Sequence, residues 1–409
     1  MRRIRKINQV KQAVIFCGGL GSRLGKITKK TPKPLIRINN KPFIEFIIKN
    51  LSRFGIKKIL LLCSYKHDLF YKKYHNRSIY GIKISCINEG SPLGTAGSIL
   101  KAKSSLDDFF FLCNGDTYFD INILDLINYF KKNYLMSLAL KNSIDKRYSG
   151  VKLLNNTVEK FNFINKLKKN LVNGGFYLLK KDLLNFINKK NFSLENEVMT
   201  KLAKKKKISG KEFLNNFIDI GILKDLKKAP QFLKKVQKKP ALFLDRDGVI
   251  NKDLGYVHKY SNFIWLKNIK KIIKFANDNN YYVFVVSNQS GIGRGYYTKN
   301  HVDLLHVKIN EELRKTGAHI DSFYYAPYYK GSKIYNFTKK DFLKRKPNTG
   351  MILECMDKWN IDIKKSIVIG DQESDMLLAK NIKIKNRILV GKDINTYKEF
   401  IKINKMHNK

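Results

Sequence analysis

Two short stretches end an apolar run on residues that packing alone does not call for. Val14–Cys17 runs into GGLGSRLG at 18–25, and Ala241–Leu244 runs into DRDGVIN at 245–251. A brief apolar run cut off by glycine or charge reads as a buried strand. Open α/β sheets bind ligands at the C-terminal ends of such strands. One end lies near the start of the chain and the other past its middle. A chain of 409 residues also exceeds what one hydrophobic core serves. The reading is two domains, each with its own site.

The order of elements supports this. In the first half, Ala13–Cys17, Lys58–Cys63 and Phe109–Cys113 read as buried strands, and Pro42–Phe54 has helical spacing. The second half restarts with Ala241–Leu244, a helix around Lys267–Asn279, a strand Tyr281–Val286, a helix from Thr298 and a strand Ile367–Ile369. Such βαβα alternation predicts the α/β class, with two mostly parallel sheets flanked by helices. The expected divisions are a basic extension at 1–10, a domain at 11–232, a linker at 233–239 and a domain at 240–409. The halves carry different motifs, which points to a fusion of unlike domains.

Composition narrows the classes. Five cysteines without a CxxC pair suit a reducing cytosol, and a cytoplasmic location is expected. No apolar run approaches the ~20 residues of a membrane span, so no membrane insertion is expected. The formal net charge is +48, but lysine is spread over both halves and accompanies no nucleic-acid-binding motif. No specific nucleic acid is therefore expected as a partner. The field would draw in anionic substrates such as sugar phosphates.

In the first half, Gly18, Gly19 and Gly21 let backbone N–H groups approach a phosphate, and Arg23 adds a forked cation. Lys33 stands between Pro32 and Pro34. Asp116 and Asp219 offer two carboxylates of the kind that hold Mg²⁺ on a triphosphate. With LGTAG at 93–97, NGG at 173–175 and DIG at 219–221, residues 11–232 resemble the sugar-1-phosphate nucleotidyltransferases, which have a Rossmann-like fold. The resemblance implies that Arg23 and Lys33 handle the triphosphate and that Leu93, Gly94 and Thr95 lie against the base. It assigns Asp116 and Asp219 to Mg²⁺, and Asn173, Gly174 and Glu195 to the sugar pocket. The family's lysine for the sugar phosphate falls within VEKFNFINKLKKN, where Lys160 and Lys166 both qualify.

In the second half, Asp245 and Asp247 can divide labour as nucleophile and acid/base, with Mg²⁺ offsetting their charge. Ser287, Asn288 and Gln289 follow the next strand and offer donors to a phosphoryl group. Lys346 supplies a cation, and Asp371 follows a further strand. This order resembles the haloacid dehalogenase phosphatases over about 238–395. GYVH at 255–258 and NQSGIGRG at 288–295 resemble the D,D-heptose 1,7-bisphosphate phosphatases, with histidinol phosphatases as near relatives. The resemblance implies Asp245 as nucleophile, Asp247 as acid/base, and Ser287 and Lys346 on the phosphoryl group. Asp245, Asp247 and Asp371 would serve the metal, and Asn288, Arg294 and Arg345 the substrate. Asp375 either adds a metal carboxylate or caps the next helix. These relatives often carry a zinc loop. Here Ala326-Pro327-Tyr328 and Phe342-Leu343-Lys344 stand in its place, so no structural zinc is expected, and the loop would hold itself by aromatic packing.

Together the resemblances imply a bifunctional enzyme. One half removes the 7-phosphate of heptose 1,7-bisphosphate, and the other joins the heptose 1-phosphate to a nucleotide from a nucleoside triphosphate, with guanine implied. The alternatives are another sugar, such as mannose 1-phosphate, beside a histidinol-phosphatase-like partner, or a basic nucleic-acid-binding scaffold.

Overall fold

The computed structural model describes residues 10–145, 148, 150–161, 170–187, 192–391 and 395–407. It divides into two units, Met1–Lys235 and Val236–Lys409.

The first unit is built on a ten-stranded sheet. Its strands in chain order are β1 (Gln12–Phe16), β2 (Lys58–Cys63), β3 (Arg77–Ile79), β4 (Ile82–Asn88), β5 (Phe109–Asn114), β6 (Met136–Ser143), β7 (Val151–Leu154), β8 (Thr157–Phe161), β9 (Asn170–Lys180) and β10 (Ile208–Glu212). They lie in the order β7-β8-β10-β6-β9-β5-β1-β2-β4-β3. The parallel heart is β5-β1-β2-β4. β1, β2 and β5 read as near-continuous apolar runs because both faces are covered, whereas β4 alternates buried and exposed residues. The helix α1 (Phe43–Ser52) begins after Pro42 and buries Phe43, Ile47 and Leu51 at helical spacing.

Register places the site. Phe16 pairs with Asn114, so the glycine loop after β1 and Gly115-Asp116 after β5 emerge side by side. A Cβ at Gly115 would lie 2.5 Å from the Phe16 carbonyl oxygen, so only glycine allows this approach. β9 runs antiparallel to β5 and brings Asn173–Gly175 to the same end. A two-stranded ribbon, Thr117–Phe119 with Phe217–Asp219, pairs Thr117 with Asp219 and thereby joins two carboxylates distant in sequence.

The stretch expected as a linker is mostly helical. The helix α2 (Leu223–Gln237) runs through it. Ala229, Leu233 and Val236 are buried at helical spacing, which carries the helix across the basic run. Lys234 and Lys235 in its last turn also suit the negative end of the helix dipole.

The second unit holds an all-parallel sheet of β11 (Ala241–Leu244), β12 (Tyr282–Asn288), β13 (Ser322–Ala326), β14 (Ile367–Gly370) and β15 (Asn386–Leu389). The order is β13-β12-β11-β14-β15. Alternate residues of β11 belong to two different cores. Leu242 and Leu244 pack with Ile272, Ile309 and Phe400, whereas Ala241 and Phe243 pack with Ile352, Cys355 and Leu378. Helices therefore cover both faces. The helix α3 (Lys299–Arg314) is capped by Thr298, whose side chain accepts from the His301 amide. All five cysteines are free and buried. Among the described residues no helix is long and apolar enough to cross a membrane.

Candidate active sites

In the first unit, a cavity of about 320 Å³ opens at the strand ends just described. Arg23, Asn173, Gly174, Glu195 and Asp219, all expected from the sequence, line it. Asn114, Thr117, Tyr148, Phe161 and Phe217 also line it and were not foreseen. The Nδ2 of Asn173 donates to the Tyr177 hydroxyl at 2.7 Å, and its Oδ1 accepts from the Gly175 amide at 3.0 Å, so its orientation is set by its own strand. A Cβ at Gly174 would lie 2.6 Å from the Phe119 ring, which explains the glycine.

Gly18, Gly19, Gly21, Leu93, Gly94, Thr95, Lys33 and Asp116 are not among the residues that line this cavity. One contact ties the Leu93–Thr95 loop to it. The Thr95 hydroxyl donates to Glu195 Oε2 at 2.8 Å and accepts from the Leu194 amide at 2.8 Å, so the loop expected at the base is latched to the carboxylate expected at the sugar. Lys33, largely buried, pairs with Asp116 Oδ2 at 2.9 Å. Asp219 Oδ1 accepts from the Gly221 amide at 2.6 Å. Asp116 paired with Lys33, and Asp219 lining the cavity with Arg23, are the carboxylate and cation types that suit a hard divalent cation on a triphosphate. Of the two candidate lysines, Lys166 lies outside the described residues. Lys160 is exposed on β8, opposite Lys152.

In the second unit, a cavity of about 280 Å³ is lined by Asp245, Asp247, Ser287, Asn288, Lys346 and Asp371, among others. Three strand ends, those of β11, β12 and β14, supply all of these groups but Lys346, which stands between the helices Lys339–Lys344 and Gly350–Lys358 rather than at a fourth strand end as the sequence order suggested. The buried ammonium of Lys346 lies 2.9 Å from Asp245 Oδ1 and 2.6 Å from Asp375 Oδ1. Burial alone would lower the Lys346 pKa, but Asp245 and Asp375 hold it above its ordinary value. Burial pushes the Asp245 carboxyl up, Lys346 pulls it down, and Asp375 pushes it up again. The Asp245 Oδ1 also accepts from the Arg246 amide at 2.7 Å, which leaves Oδ2 for chemistry.

One ligand atom from each of Asp245, Asp371 and Asp375 falls within 4.8 Å of the others. The Asp371 Oδ1 is buried with no hydrogen-bond partner, and burial, together with Asp245, raises its carboxyl pKa. Three carboxylates around one lysine, with one oxygen unpartnered, fit a hard divalent cation. Of its two readings, Asp375 shows the helix cap directly. Its Oδ2 caps the helix α4 (Glu373–Asn381) by accepting from the Gln372 amide, while Oδ1 faces Lys346.

Asp247 lies outside that cluster. Its carboxylate accepts from Arg246, Asn251 and Gln289. The sequence suggested that Gln289 and Asn288 donate to substrate. The structure turns Gln289 onto Ser287 and Asp247, and Asn288 onto the Lys346 backbone. The buried Arg246, bridging Asp247 and the Val257 carbonyl, was missed, although a charge inside an apolar strand end was its signal. Arg294 and Arg345 do not line this cavity. Arg294 stacks over Tyr329 at 3.8 Å, and Arg345 donates to the Tyr328 carbonyl. Their charges repel: burial and Arg294 both lower the Arg345 pKa. The loop in the zinc position packs Tyr328 against Phe337 and Phe342, at 5.5 and 5.4 Å between ring centroids.

Two family models match the chain. The nucleotidyl transferase model covers residues 12–236, and the polynucleotide kinase 3 phosphatase model covers 242–389. The first half is 41% identical to a D-glycero-alpha-D-manno-heptose 1-phosphate guanylyltransferase of Campylobacter jejuni, over 52% of this chain and 96% of that protein. The second half is 38% identical to a D-glycero-alpha-D-manno-heptose-1,7-bisphosphate 7-phosphatase of the same organism, over 38% of this chain and 85% of that protein. It is also 37% identical to a D-glycero-beta-D-manno-heptose-1,7-bisphosphate 7-phosphatase of Rhodopseudomonas palustris, over 39% of this chain and 88% of that protein. Through its first half the chain belongs to the nucleotidyl transferase family, and through its second to that of the heptose-bisphosphate 7-phosphatases.

Proposed function

We propose that the chain is a bifunctional enzyme that dephosphorylates D-glycero-D-manno-heptose 1,7-bisphosphate at the 7 position and couples the resulting 1-phosphate to GMP from GTP. The products are GDP-heptose and pyrophosphate. The observation that carries the reading is the Asp245 carboxylate, held on one oxygen by Lys346 within a three-carboxylate cluster. An aspartate so placed is built to attack phosphorus.

In the second unit, Asp245 Oδ2 attacks the 7-phosphorus. The bond to the sugar oxygen breaks, and Asp247 gives that oxygen its proton. Asp247 then takes a proton from water, which hydrolyses the aspartyl phosphate. Ser287 and Lys346 neutralise the phosphoryl oxygens. Arg294 and Arg345, two mutually repelling guanidiniums, suit the second phosphate of a bisphosphate. Asp245, Asp371 and Asp375 would hold Mg²⁺, which offsets the charge of the transferred group.

In the first unit, the sugar 1-phosphate oxygen attacks the α-phosphorus and pyrophosphate leaves. Arg23 and Lys33 stabilise the phosphates, Asp116 and Asp219 would hold Mg²⁺, and Asn173, Gly174 and Glu195 orient the sugar. Positioning and charge neutralisation supply the rate. Because one product feeds the other reaction, both units should take the α anomer. The near-equal identity to the phosphatase named for the β bisphosphate favours a second reading, in which the phosphatase accepts the β anomer.

The test supplies each anomer of the bisphosphate with GTP and Mg²⁺ and follows phosphate and GDP-heptose. Asp245→Asn should abolish phosphate release yet spare nucleotidyl transfer from the monophosphate. Survival of both activities would refute the assignment.

A further inference from the structure

Gln289 is 1% exposed, and every polar hydrogen-bonding end of its side chain is engaged. Its Nε2 donates to Ser287 Oγ at 2.9 Å and to Asp247 Oδ2 at 3.0 Å. Its Oε1 accepts from the Tyr297 hydroxyl at 2.8 Å. A carboxylate accepts and does not donate, which fixes which end of the amide faces Asp247. Because Ser287 Oγ accepts from Gln289, its own proton is left to point at an incoming phosphoryl oxygen.

The other donors to Asp247 among the described residues, Arg246 and Asn251, come from its own loop. Gln289 comes from the end of the neighbouring strand β12. It is therefore the group that ties the acid/base loop to the strand that binds the phosphoryl group. Tyr297 anchors it in turn. That ring is buried and stacks on His258 at 4.8 Å and 17°. A Cβ at Gly291 would lie 2.3 Å from the Tyr297 ring, so the SGIG turn is shaped around the tyrosine.

We propose that Gln289 is a positioning residue that holds Asp247 in register with the Ser287 phosphoryl site, so that the proton of Asp247 reaches the departing oxygen. The inference rests on the phosphatase reading above. When Asp245 attacks phosphorus, the electron pair of the broken bond goes to the sugar oxygen, which needs a proton. Acetyl phosphate releases acetate, a stable anion that needs none. A fault confined to the placement of Asp247 therefore weighs on the sugar ester and spares the acyl phosphate.

The experiment measures single-turnover release of the leaving group from heptose 1,7-bisphosphate and from acetyl phosphate, with the full chain and Mg²⁺. Gln289→Leu should slow the sugar ester about 100-fold, within the range of general acid catalysis, and should slow acetyl phosphate at least about tenfold less. Tyr297→Phe keeps the ring and frees the amide, so it should shift the same ratio in the same sense by a smaller factor. It also decides the matter if Gln289→Leu does not fold. Equal losses on both substrates in the folded variants overturn the positioning role. Wild-type protein that releases neither leaving group overturns the phosphatase reading itself.

Discussion

His306 lies on the buried stripe of α3 and stacks on Phe323 at 4.2 Å, with ring planes 13° apart. Burial and the charge of Arg246 push its pKa down to about 3. The folded imidazole thus stays neutral, whereas in the unfolded chain it takes a proton below about pH 6.5. Below that pH the unfolded state binds more protons, so stability is full above about 6.5 and falls as pH drops towards 3. The loss is about 1.4 kcal/mol per pH unit, or about 2 kcal/mol between pH 6.5 and 5. Asp245 and Asp371, whose carboxyls are raised, act in the opposite sense, so the difference from a variant isolates the histidine. Urea unfolding at pH 7 and pH 5 should show a smaller loss in His306→Phe than in wild type. Identical pH dependence would rule this origin out. Single residues were unevenly legible in the sequence. Spacing from Val302 to Leu305, His306 and Ile309 marks His306 as inward-facing. The partners of Gln289 were not legible, because they depend on the turn of one amide and on a tyrosine eight residues further on.

At the scale of elements, Leu244 of β11 pairs with Ile369 of β14, so the loops carrying Asp245 and Asp371 leave the sheet together. Gly248 closes the first loop at φ +83°, and a Cβ there would fall 2.1 Å from Asp371 Oδ2. Gly248→Ala should therefore strain the loop and displace Asp371. The Mg²⁺ needed for half-maximal phosphate release should rise about tenfold, the size usual when support of a metal ligand is lost. A Mg²⁺ titration checks this, and an unchanged midpoint would show that Asp371 does not serve the cation. The central strands were legible because burial on both faces leaves an unbroken apolar run. Strand β9 was not, since Asn173-Gly174-Gly175 inside it reads as a turn. The structure keeps the strand and shifts its pairing register between Asn173 and Tyr177. The short, half-exposed β7 and β8 gave no pattern at all, and α2 hid behind its lysines.

For the whole molecule the dominant quantity is the formal net charge of +48, from 81 basic and 33 acidic residues. Of the basic residues, Arg23 lines the first cavity and Lys346 the second, so most of this charge can reach a substrate only through its field. The proposed substrates are all polyanions, so the field raises their local concentration at both cavities. Contacts at the sites behave differently. The Lys346 ammonium is almost fully buried between two carboxylates, and added salt screens it little. Exposed lysines further than a Debye length from the substrate are screened, since that length falls from about 10 Å at 0.1 M to about 3 Å at 1 M. Added salt should therefore weaken capture and leave the chemical step alone. Between about 50 mM and 500 mM KCl, KM for GTP and for the bisphosphate should rise several-fold, on the order of the steering effects of charged clefts, while kcat changes by less than about twofold. Initial-rate kinetics for each activity in the intact chain would measure both. A fall in kcat with KM unchanged would mean that the charge acts inside the sites. No salt response in either constant would mean that the lysine excess is functionally silent.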